Sequence, residues 1–320
     1  MKVFVAGAGL IGASTAWRLA QAGARVTLTD AGTFGGETSS AGAGMLSPGG
    51  EFEKPSMWFD LGLQGMRLYP AFVEELHAET SMPIDFRRCG CLYRMDPDQA
   101  RIRAAFQSSA GIRVELREGG LLYPEDALVD PTDLLRALRC ACLSRGVAIE
   151  EGQPVTHLES SHFDAVVIAA GAWSQPIAVT CRGAAVPLPP VKPVKGHLAG
   201  FDLEPGALGP MLRRGHTYLL QRSSGFTIAG STEEDVGFDR SVHPETCREI
   251  QRRAAELFPP LASAAISKCW IGFRPCSPQP NIGRVAGTNV WLAYGHFRNG
   301  ILLTPLTAAR ISAEIAGTAG

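Results

Sequence analysis

The fold is decided near the amino terminus by residues 2–12, which read KVFVAGAGLIG. Lys2–Ala6 form an apolar run typical of a short buried strand, and the residues after Gly12 continue at helical spacing. A GxGxxG segment between a strand and a helix is typical of dinucleotide binding. Gly7 allows a tight turn, Gly9 lets backbone approach a pyrophosphate, and Gly12 allows close packing of helix on strand. We expect the anion to lie at the helix amino terminus.

A second predicted strand, residues 24–30, supplies the other half of this signature. It ends in Asp30, 18 residues after Gly12. A carboxylate at this distance accepts hydrogen bonds from the ribose hydroxyls of an adenine dinucleotide. The alternative is a glycine-rich turn in an unrelated α/β protein, in which Asp30 stands at this position by chance.

Composition excludes several classes of function. Lys and Arg number 30 against 31 Asp and Glu, and no basic block is present, so we expect no nucleic-acid partner. The eight cysteines include two CxC pairs but no zinc-ligand spacing, so we expect no metal, and reduced thiols in a cytoplasmic protein. The sequence contains no run of 18 apolar residues, so we expect no membrane span. Arg18 and three glycines within the first apolar region argue against a signal peptide.

The remaining pattern predicts an α/β protein with a discontinuous nucleotide-binding domain. Residues 163–174 read as an apolar strand that ends in a small-residue turn, as expected where a central strand meets a nucleotide. Gly171 in this turn is therefore a predicted cofactor-binding residue. Alternating segments at 186–201, 217–221 and 225–229 indicate an antiparallel sheet in a second domain. The carboxyl-terminal part repeats the strand–turn–helix pattern of the amino-terminal part, with a strand at 289–294, a turn, and a helix at 301–316.

Five motifs in order resemble the FAD-dependent D-amino acid oxidase family, and within it the glycine oxidases. They are GAGLIG with Asp30, GGETSSAGAGML at 35–46, PVKG at 193–196, WIGFRP at 270–275 and GHFRNGILLTP at 295–305. The resemblance implies non-covalent FAD in a GR2-type, Rossmann-like domain made of residues 1–80, 128–190 and 267–320. It also implies an antiparallel-sheet substrate domain made of residues 81–127 and 191–266.

The resemblance also implies cofactor contacts beyond the three glycines. Those near adenosine and pyrophosphate fall on Leu10, Ile11, Asp30, Ala31, Thr38, Ser39 and Val155. Those near the flavin ring fall on Ala43, Gly44, Met45, His296, Phe297, Arg298, Asn299, Gly300, Ile301 and Leu302. Independently, Arg298 to Gly300 open a predicted helix, whose N–H groups would stabilise negative charge on reduced flavin.

A carboxylate substrate calls for a planar, two-pronged cation, which arginine provides. Arg274 matches the family's carboxylate-binding arginine, Tyr218 matches its pocket tyrosine, and Arg298 matches a second arginine near the substrate. The blander alternatives are a surface ion pair for an arginine and simple packing for Tyr218. Met45 and Glu233 are further substrate candidates; the Glu233 carboxylate would face either the amine or solvent.

The implied reaction is oxidation of glycine, with sarcosine and small D-amino acids as other candidates, to an imine and then glyoxylate. Oxygen is the expected acceptor and hydrogen peroxide the second product, and thiamine thiazole synthesis is the expected use. Three other readings stay open: an oxidase or dehydrogenase of another D-amino or N-methyl amino acid, a nicotinamide-linked dehydrogenase, and a flavin-binding protein without turnover. Assembly into homo-oligomers is also left open.

Two residues near these motifs have alternative readings. Cys276 stands roughly where sarcosine oxidases attach their flavin, but its surroundings match glycine oxidases better, so we expect no covalent bond. We expect His296 to position backbone rather than to transfer protons. The segment 276–281 reads as a loop.

Overall fold

The computed structural model describes residues 1–51 and 55–318. The helices are α1 Leu10–Gln21, α2 Thr38–Ala41, α3 Pro48–Glu51, α4 Met57–Thr80, α5 Pro97–Ser109, α6 Pro131–Ser144, α7 Pro244–Ala255 and α8 Gly300–Gly317. The strands are β1 Lys2–Ala6, β2 Arg25–Thr29, β3 Met45–Leu46, β4 Phe86–Arg88, β5 Cys91–Arg94, β6 Glu115–Arg117, β7 Gly120–Tyr123, β8 Ala127–Val129, β9 Ala148–Glu150, β10 His157–Glu159, β11 Ala165–Ile168, β12 Ala178–Cys181, β13 Ala184–Val186, β14 Lys192–Asp202, β15 Met211–Arg214, β16 Thr217–Gln221, β17 Phe226–Gly230, β18 Lys268–Arg284 and β19 Val290–His296. This confirms the predicted α/β class with its antiparallel part.

The amino-terminal unit forms as its sequence predicts. β1 pairs in parallel with β2 on one side and with β11 on the other. β11 in turn pairs in parallel with β19, although more than 120 residues separate them in the sequence. Since the carboxyl ends of parallel strands meet at one sheet edge, the turns after β1, β2, β11 and β19 lie together. The start, middle and end of the chain therefore build one cofactor-type edge.

One sheet of thirteen strands runs through both predicted domains. Its order is β6-β7-β5-β15-β16-β17-β14-β18-β19-β11-β1-β2-β9. The strands from β19 to β9 are parallel, whereas β14, β16, β17 and β18 pair antiparallel with their neighbours. β15 pairs antiparallel with β16 but parallel with β5. β18 joins the two parts, because its first half pairs with β14 and its second half with β19.

β18 corrects the expected loop at 276–281, which lies within this single strand. The prolines there, Pro278 and Pro280, suggest a loop because proline cannot donate a ladder hydrogen bond. In the structure they fall between Cys276 and Asn281, where the register with β19 shifts. A shift of this kind leaves residues unpaired, so the prolines cost the sheet little.

The main core packs helices α1, α4, α6 and α8 against the parallel strands. Its largest fully buried side chains include Trp17, Tyr69 and Trp291. A separate core, with Phe201, Cys247 and Ile250, lies between α7 and the antiparallel strands. None of the helices in the described residues is both long and apolar enough to cross a membrane.

Candidate active site

A cavity of about 650 Å³ runs from the carboxyl ends of β1 and β2 to the face of the antiparallel sheet. Its lining includes both substrate candidates Tyr218 and Arg274. It also includes these predicted cofactor residues: Gly7, Gly9, Leu10, Ile11, Asp30, Ala31, Thr38, Ser39, Ala43, Gly44, Met45, Val155, Gly171, His296, Phe297, Arg298, Asn299, Gly300, Ile301 and Leu302. Residues that are far apart in the sequence thus share one continuous space.

Each of the three glycines of the GxGxxG segment is required by a different close contact. Gly7 has a φ of +105°, and an added Cβ would lie 2.5 Å from the carbonyl oxygen of Ala169. A Cβ on Gly12 would lie 1.8 Å from the carbonyl oxygen of Gly7, so Gly12 permits packing and does not line the cavity. A Cβ on Gly9 would lie 2.8 Å from Oγ of Ser39. Backbone atoms therefore face the cavity along this turn.

Asp30 holds the glycine-rich turn as well as facing the cavity. Its Oδ2 accepts a hydrogen bond from the Ala8 amide at 2.7 Å, and its Oδ1 accepts one from Gly32 at 2.9 Å. A carboxylate oxygen accepts two hydrogen bonds, so capacity for ribose hydroxyls remains on both oxygens. The carboxylate accordingly fixes the turn and the predicted ribose position together.

Two helices, α1 and α8, begin at the cavity. Gly9, the N-cap residue of α1, has no side chain, and the side chain of Asn299, the N-cap residue of α8, accepts no bond from its helix. In the first turn of α1, the Leu10 amide donates to a side chain, Oγ of Ser39, at 3.0 Å. Helix amino termini carry partial positive charge and N–H donors without intrahelical partners, which favour anions. The residues fit FAD, whose pyrophosphate would be held by α1 and whose reduced ring would be stabilised by α8.

A buried arginine that the sequence analysis missed shapes the segment at Ala43 and Gly44. Arg222 donates from Nη1 to the carbonyl oxygen of Val129 at 2.8 Å and from Nη2 to that of Ala43. Gly44 has a φ of +91°, and a Cβ there would lie 1.9 Å from the Val129 oxygen. The segment thus takes a conformation that glycine favours, and Arg222 secures it.

The substrate end of the cavity is centred on Arg274. Its Nη1 donates to the carbonyl oxygen of Thr232 at 3.1 Å, and its Nη2 donates to Oγ of Ser231 at 2.8 Å. Tyr218 lies close by, and its hydroxyl hydrogen-bonds Ser231. Burial raises the pKa of Tyr218, although the Arg274 charge opposes this, so the phenol stays a neutral donor.

Arg298 and Glu233 form an ion pair at the same end of the cavity. Arg298 lines the cavity, but Glu233 does not. Nη2 of Arg298 also lies 3.4 Å from Nδ1 of His216. The Glu233 carboxylate is therefore directed at a guanidinium, which neither of the two sequence readings anticipated.

Two charged cavity residues, Glu51 and Arg213, were not singled out from the sequence. They form an ion pair with each other, and Glu51 Oε1 lies 3.7 Å from Nη1 of Arg298. Arg213 lies directly opposite Tyr218 in the β15–β16 pairing. The short turn between these strands was a usable signal, because a tight hairpin fixes which residues face each other.

His296 lines the cavity but is buried against α8. Its Nε2 lies 3.0 Å from Oγ1 of Thr307. Burial lowers the pKa of His296 to about 4, so the imidazole is neutral near pH 7. This environment suits a positioning residue.

Cys276 lies on β18 opposite His296 but does not line the cavity, and non-covalent flavin stays a prediction. Within residues 1–51 and 55–318, no group of three or more His, Cys, Asp or Glu side chains is arranged to hold a metal ion.

Comparison with known proteins agrees with this geometry. The glycine oxidase of Pseudomonas aeruginosa is 31% identical, over 98% of this chain and 94% of that protein. A protein of Synechocystis named bifunctional protein ThiO/ThiG is 34% identical over 97% of this chain, which spans about half (51%) of its length. The crystal structure of glycine oxidase from Geobacillus kaustophilus, 29% identical, superposes with a TM-score of 0.88 over 98% of this chain and 94% of that chain.

The match to a family extends over almost the whole length. Residues 2–314 match the family described as FAD dependent oxidoreductase. The matched span includes the glycine-rich turn, the two helix amino termini at the cavity and the Arg274 site. The chain belongs to the FAD-dependent oxidoreductase family.

Proposed function

We propose that the chain oxidises glycine to its imine, with oxygen as the acceptor and hydrogen peroxide as the second product. The imine hydrolyses in water to glyoxylate and ammonia. Sarcosine and small D-amino acids are the other candidate substrates. The single observation that carries the proposal is Arg274, a cavity guanidinium whose hydrogen-bond partners are neutral, at the opposite end from the dinucleotide cradle. The relatives named glycine oxidase support the choice of amine.

The state of Arg274 favours an anionic ligand. Both of its hydrogen bonds go to uncharged oxygens, and no carboxylate among the described residues lies within ion-pair distance of it. Burying a guanidinium without a counter-charge is costly, and a substrate carboxylate would remove that cost. The guanidinium has five N–H donors in a planar fork, so donors remain for two-pronged binding.

Tyr218 and the two helix termini complete the binding groups. The Tyr218 hydroxyl lies beside Arg274, and we expect it to donate a further hydrogen bond to the same carboxylate. The chemistry that FAD would supply, when bound, is acceptance of a hydride from the amine's α-carbon and transfer of the electrons to oxygen. The amino terminus of α8 and the Arg298 guanidinium would stabilise negative charge on the reduced flavin ring.

The spectrum and products of the purified protein test the proposal. We expect bound flavin that acid precipitation releases, and peroxide with at least one of glycine, sarcosine, D-alanine and D-proline. A nicotinamide-linked enzyme would give neither result. Protein that takes up no FAD, or that forms no peroxide and shows no anaerobic bleaching with any of the four amines, would contradict the proposal.

A matched pair of variants tests the role of Arg274. Arg274→Met should lower kcat/KM by about 100-fold, because charged hydrogen bonds of this kind contribute about 1.5–3 kcal/mol each. Its flavin content should not change. Arg214→Met is the control, since Arg214 pairs with Glu256 at the surface and lies outside the cavity.

The proposed function extends to the use of the imine, the location of the protein and its division into domains. We propose that the imine is used in thiamine thiazole synthesis, which the relatives named ThiO/ThiG support, and that the protein works in the cytoplasm. We assign residues 1–80, 128–190 and 267–320 to FAD binding, and residues 81–127 and 191–266 to the substrate side. The position of β18 as the strand that joins the parallel and antiparallel parts supports a boundary near residue 267.

A further inference from the structure

Three guanidiniums reach the substrate end of the cavity, and they differ in their partners. Arg213 pairs with Glu51, and Arg298 pairs with Glu233. Glu51 also lies near Arg298, with Oε1 3.7 Å from Nη1. Arg274 has neutral partners among the described residues. Arg274 is therefore available to one substrate carboxylate, whereas Arg213 already holds a carboxylate of the protein.

Arg213 is placed as a binding residue would be. It lies on β15 directly opposite Tyr218 on β16, so both side chains extend from the same face of the sheet. Directly opposed residues in an antiparallel pair have Cβ atoms about 4.5–5.5 Å apart. The Arg213 side chain is 9% exposed, lies 5.5 Å from the centre of the Tyr93 ring, and lines the cavity.

Glu51 is ionised in this setting. Its burial raises the pKa, but the charges of Arg213 and Arg298 and the hydrogen bond from Arg213 outweigh burial and hold the pKa below its ordinary value. An ionised carboxylate at this position repels a second substrate carboxylate. It also occupies the guanidinium that such a group would use, and both effects act against the wrong substrate.

We propose that Arg213 is a second carboxylate-binding guanidinium, and that Glu51, by occupying it, selects amines with one carboxylate over amines with two. This inference rests on the proposed function, because it assumes that Arg274 binds the first carboxylate. Glu51 is thus a specificity-determining residue.

The test compares two amines that differ by one carboxylate, sarcosine and iminodiacetate. In the FAD-loaded wild-type protein, kcat/KM for sarcosine should exceed that for iminodiacetate. In Glu51→Gln, which keeps shape but removes charge, the ratio of kcat/KM for iminodiacetate to that for sarcosine should rise about tenfold or more. An unchanged ratio in a variant with full flavin content would overturn the proposal.

The double variant Glu51→Gln/Arg213→Met identifies the group that binds the second carboxylate. In the double variant, the ratio of kcat/KM for iminodiacetate to that for sarcosine should return towards the wild-type value. If the double variant kept the gain, the effect would be a general change of charge, and the role of Arg213 would be wrong. Glu256→Gln is the matched control, because Glu256 pairs with Arg214, the next residue on β15, outside the cavity. It should leave the ratio within about twofold of the wild-type value.

A binding experiment separates this inference from the proposed reaction. Oxydiacetate and methoxyacetate match the two amines in shape but carry no amine and are not oxidised. Calorimetric titration of FAD-loaded protein should show oxydiacetate gaining affinity over methoxyacetate in Glu51→Gln and losing it in the double variant. If the wild type oxidised no amine, the proposed function would fail while this titration still decided the role of Arg213.

Discussion

The guanidinium of Arg274 occupies the space where a side chain on Gly196 would begin. An ideal Cβ at Gly196 would lie 2.4 Å from Nη1 of Arg274 and 2.5 Å from Nη2. The two residues stand on neighbouring antiparallel strands, β14 and β18, two positions out of direct register. The absence of a side chain at 196 therefore sets where the arginine fork can lie.

Gly196→Ala should impair substrate binding more than stability. The clash falls on the far end of a flexible side chain, so the guanidinium moves while the backbone stays. We expect KM to rise about tenfold or more, since a displaced fork loses charged hydrogen bonds to the carboxylate. Steady-state kinetics with full flavin content measures the change.

Gly200→Ala on the same strand is the control for crowding alone. Its added Cβ would lie 2.5 Å from the Phe226 ring and away from Arg274. We expect it to lower Tm without a comparable rise in KM. If KM rose equally in both variants, strand distortion and not the contact with Arg274 would explain the effect.

The sequence predicts the parts of the site that depend on local chain geometry. Gly7, Gly9 and Gly12 fall within one strand–turn–helix unit, and their spacing alone identifies the turn. Of the contacts that require them, only that of Gly12 with Gly7 lies inside the unit. Arg274 and Tyr218 carry no such local signal and were identified only through the family pattern; in the structure both line the same cavity. Asp30 was identified in both ways, by its distance from Gly12 and by the family pattern.

The sequence does not predict contacts between elements that are distant along the chain. The short β15–β16 turn could indicate that Arg213 faces Tyr218, but Glu51 and Arg213 meet because α3 ends beside β15. Neither residue belongs to a motif with a known spacing. The prolines of β18 mislead for a similar reason, since they are compatible with a strand only where its register shifts.

Asp126 should make stability fall as pH rises. The side chain is buried and accepts a hydrogen bond from Ser47, which lines the cavity. Burial raises the pKa of Asp126 to about 8, and the Ser47 hydrogen bond and nearby arginines offset this only in part. Since the folded pKa exceeds the unfolded one, its contribution is complete below about pH 4 and is lost as pH rises to about 8.

Asp126→Asn, which resembles the protonated acid, should remove this pH dependence. The free energy of unfolding of the variant, relative to the wild type, should increase between pH 5 and pH 8 by up to about 1.4 kcal/mol per pH unit. Urea unfolding at both pH values measures it. Asp98→Asn, on the exposed side of α5, is the control; equal slopes for Asp126→Asn and wild type would refute the prediction.

His296 should make stability fall on the acid side. Its pKa of about 4 lies below the ordinary value because burial disfavours the charged imidazole. In the unfolded chain the His296 imidazole binds a proton near pH 6.5, whereas in the folded chain it stays neutral down to about pH 4. Stability is therefore lost as pH falls from about 6.5 to about 4.

His296→Gln keeps a hydrogen-bonding partner for Thr307 and removes the titrating group. The loss of unfolding free energy between pH 7 and pH 5 should be smaller in this variant than in the wild type, by about 1–2 kcal/mol. Thermal or urea unfolding at the two pH values reports it. An identical loss in both proteins would show that His296 is protonated when folded.

Arg222 should control FAD affinity without touching substrate. Arg222→Met leaves the Ala43 and Val129 carbonyl oxygens without their buried donor, which costs about 1–3 kcal/mol per lost bond. The segment at Ala43 and Gly44 lines the cavity, so its loosening should weaken FAD binding by about tenfold or more, as measured by fluorescence titration of the apoprotein. Arg222→Lys keeps the charge but lacks the two-pronged guanidinium, so its affinity for FAD should lie between those of the wild type and Arg222→Met. Wild-type FAD affinity in Arg222→Met, with the fold intact by circular dichroism, would show that the segment holds its conformation through the positive φ of Gly44 alone.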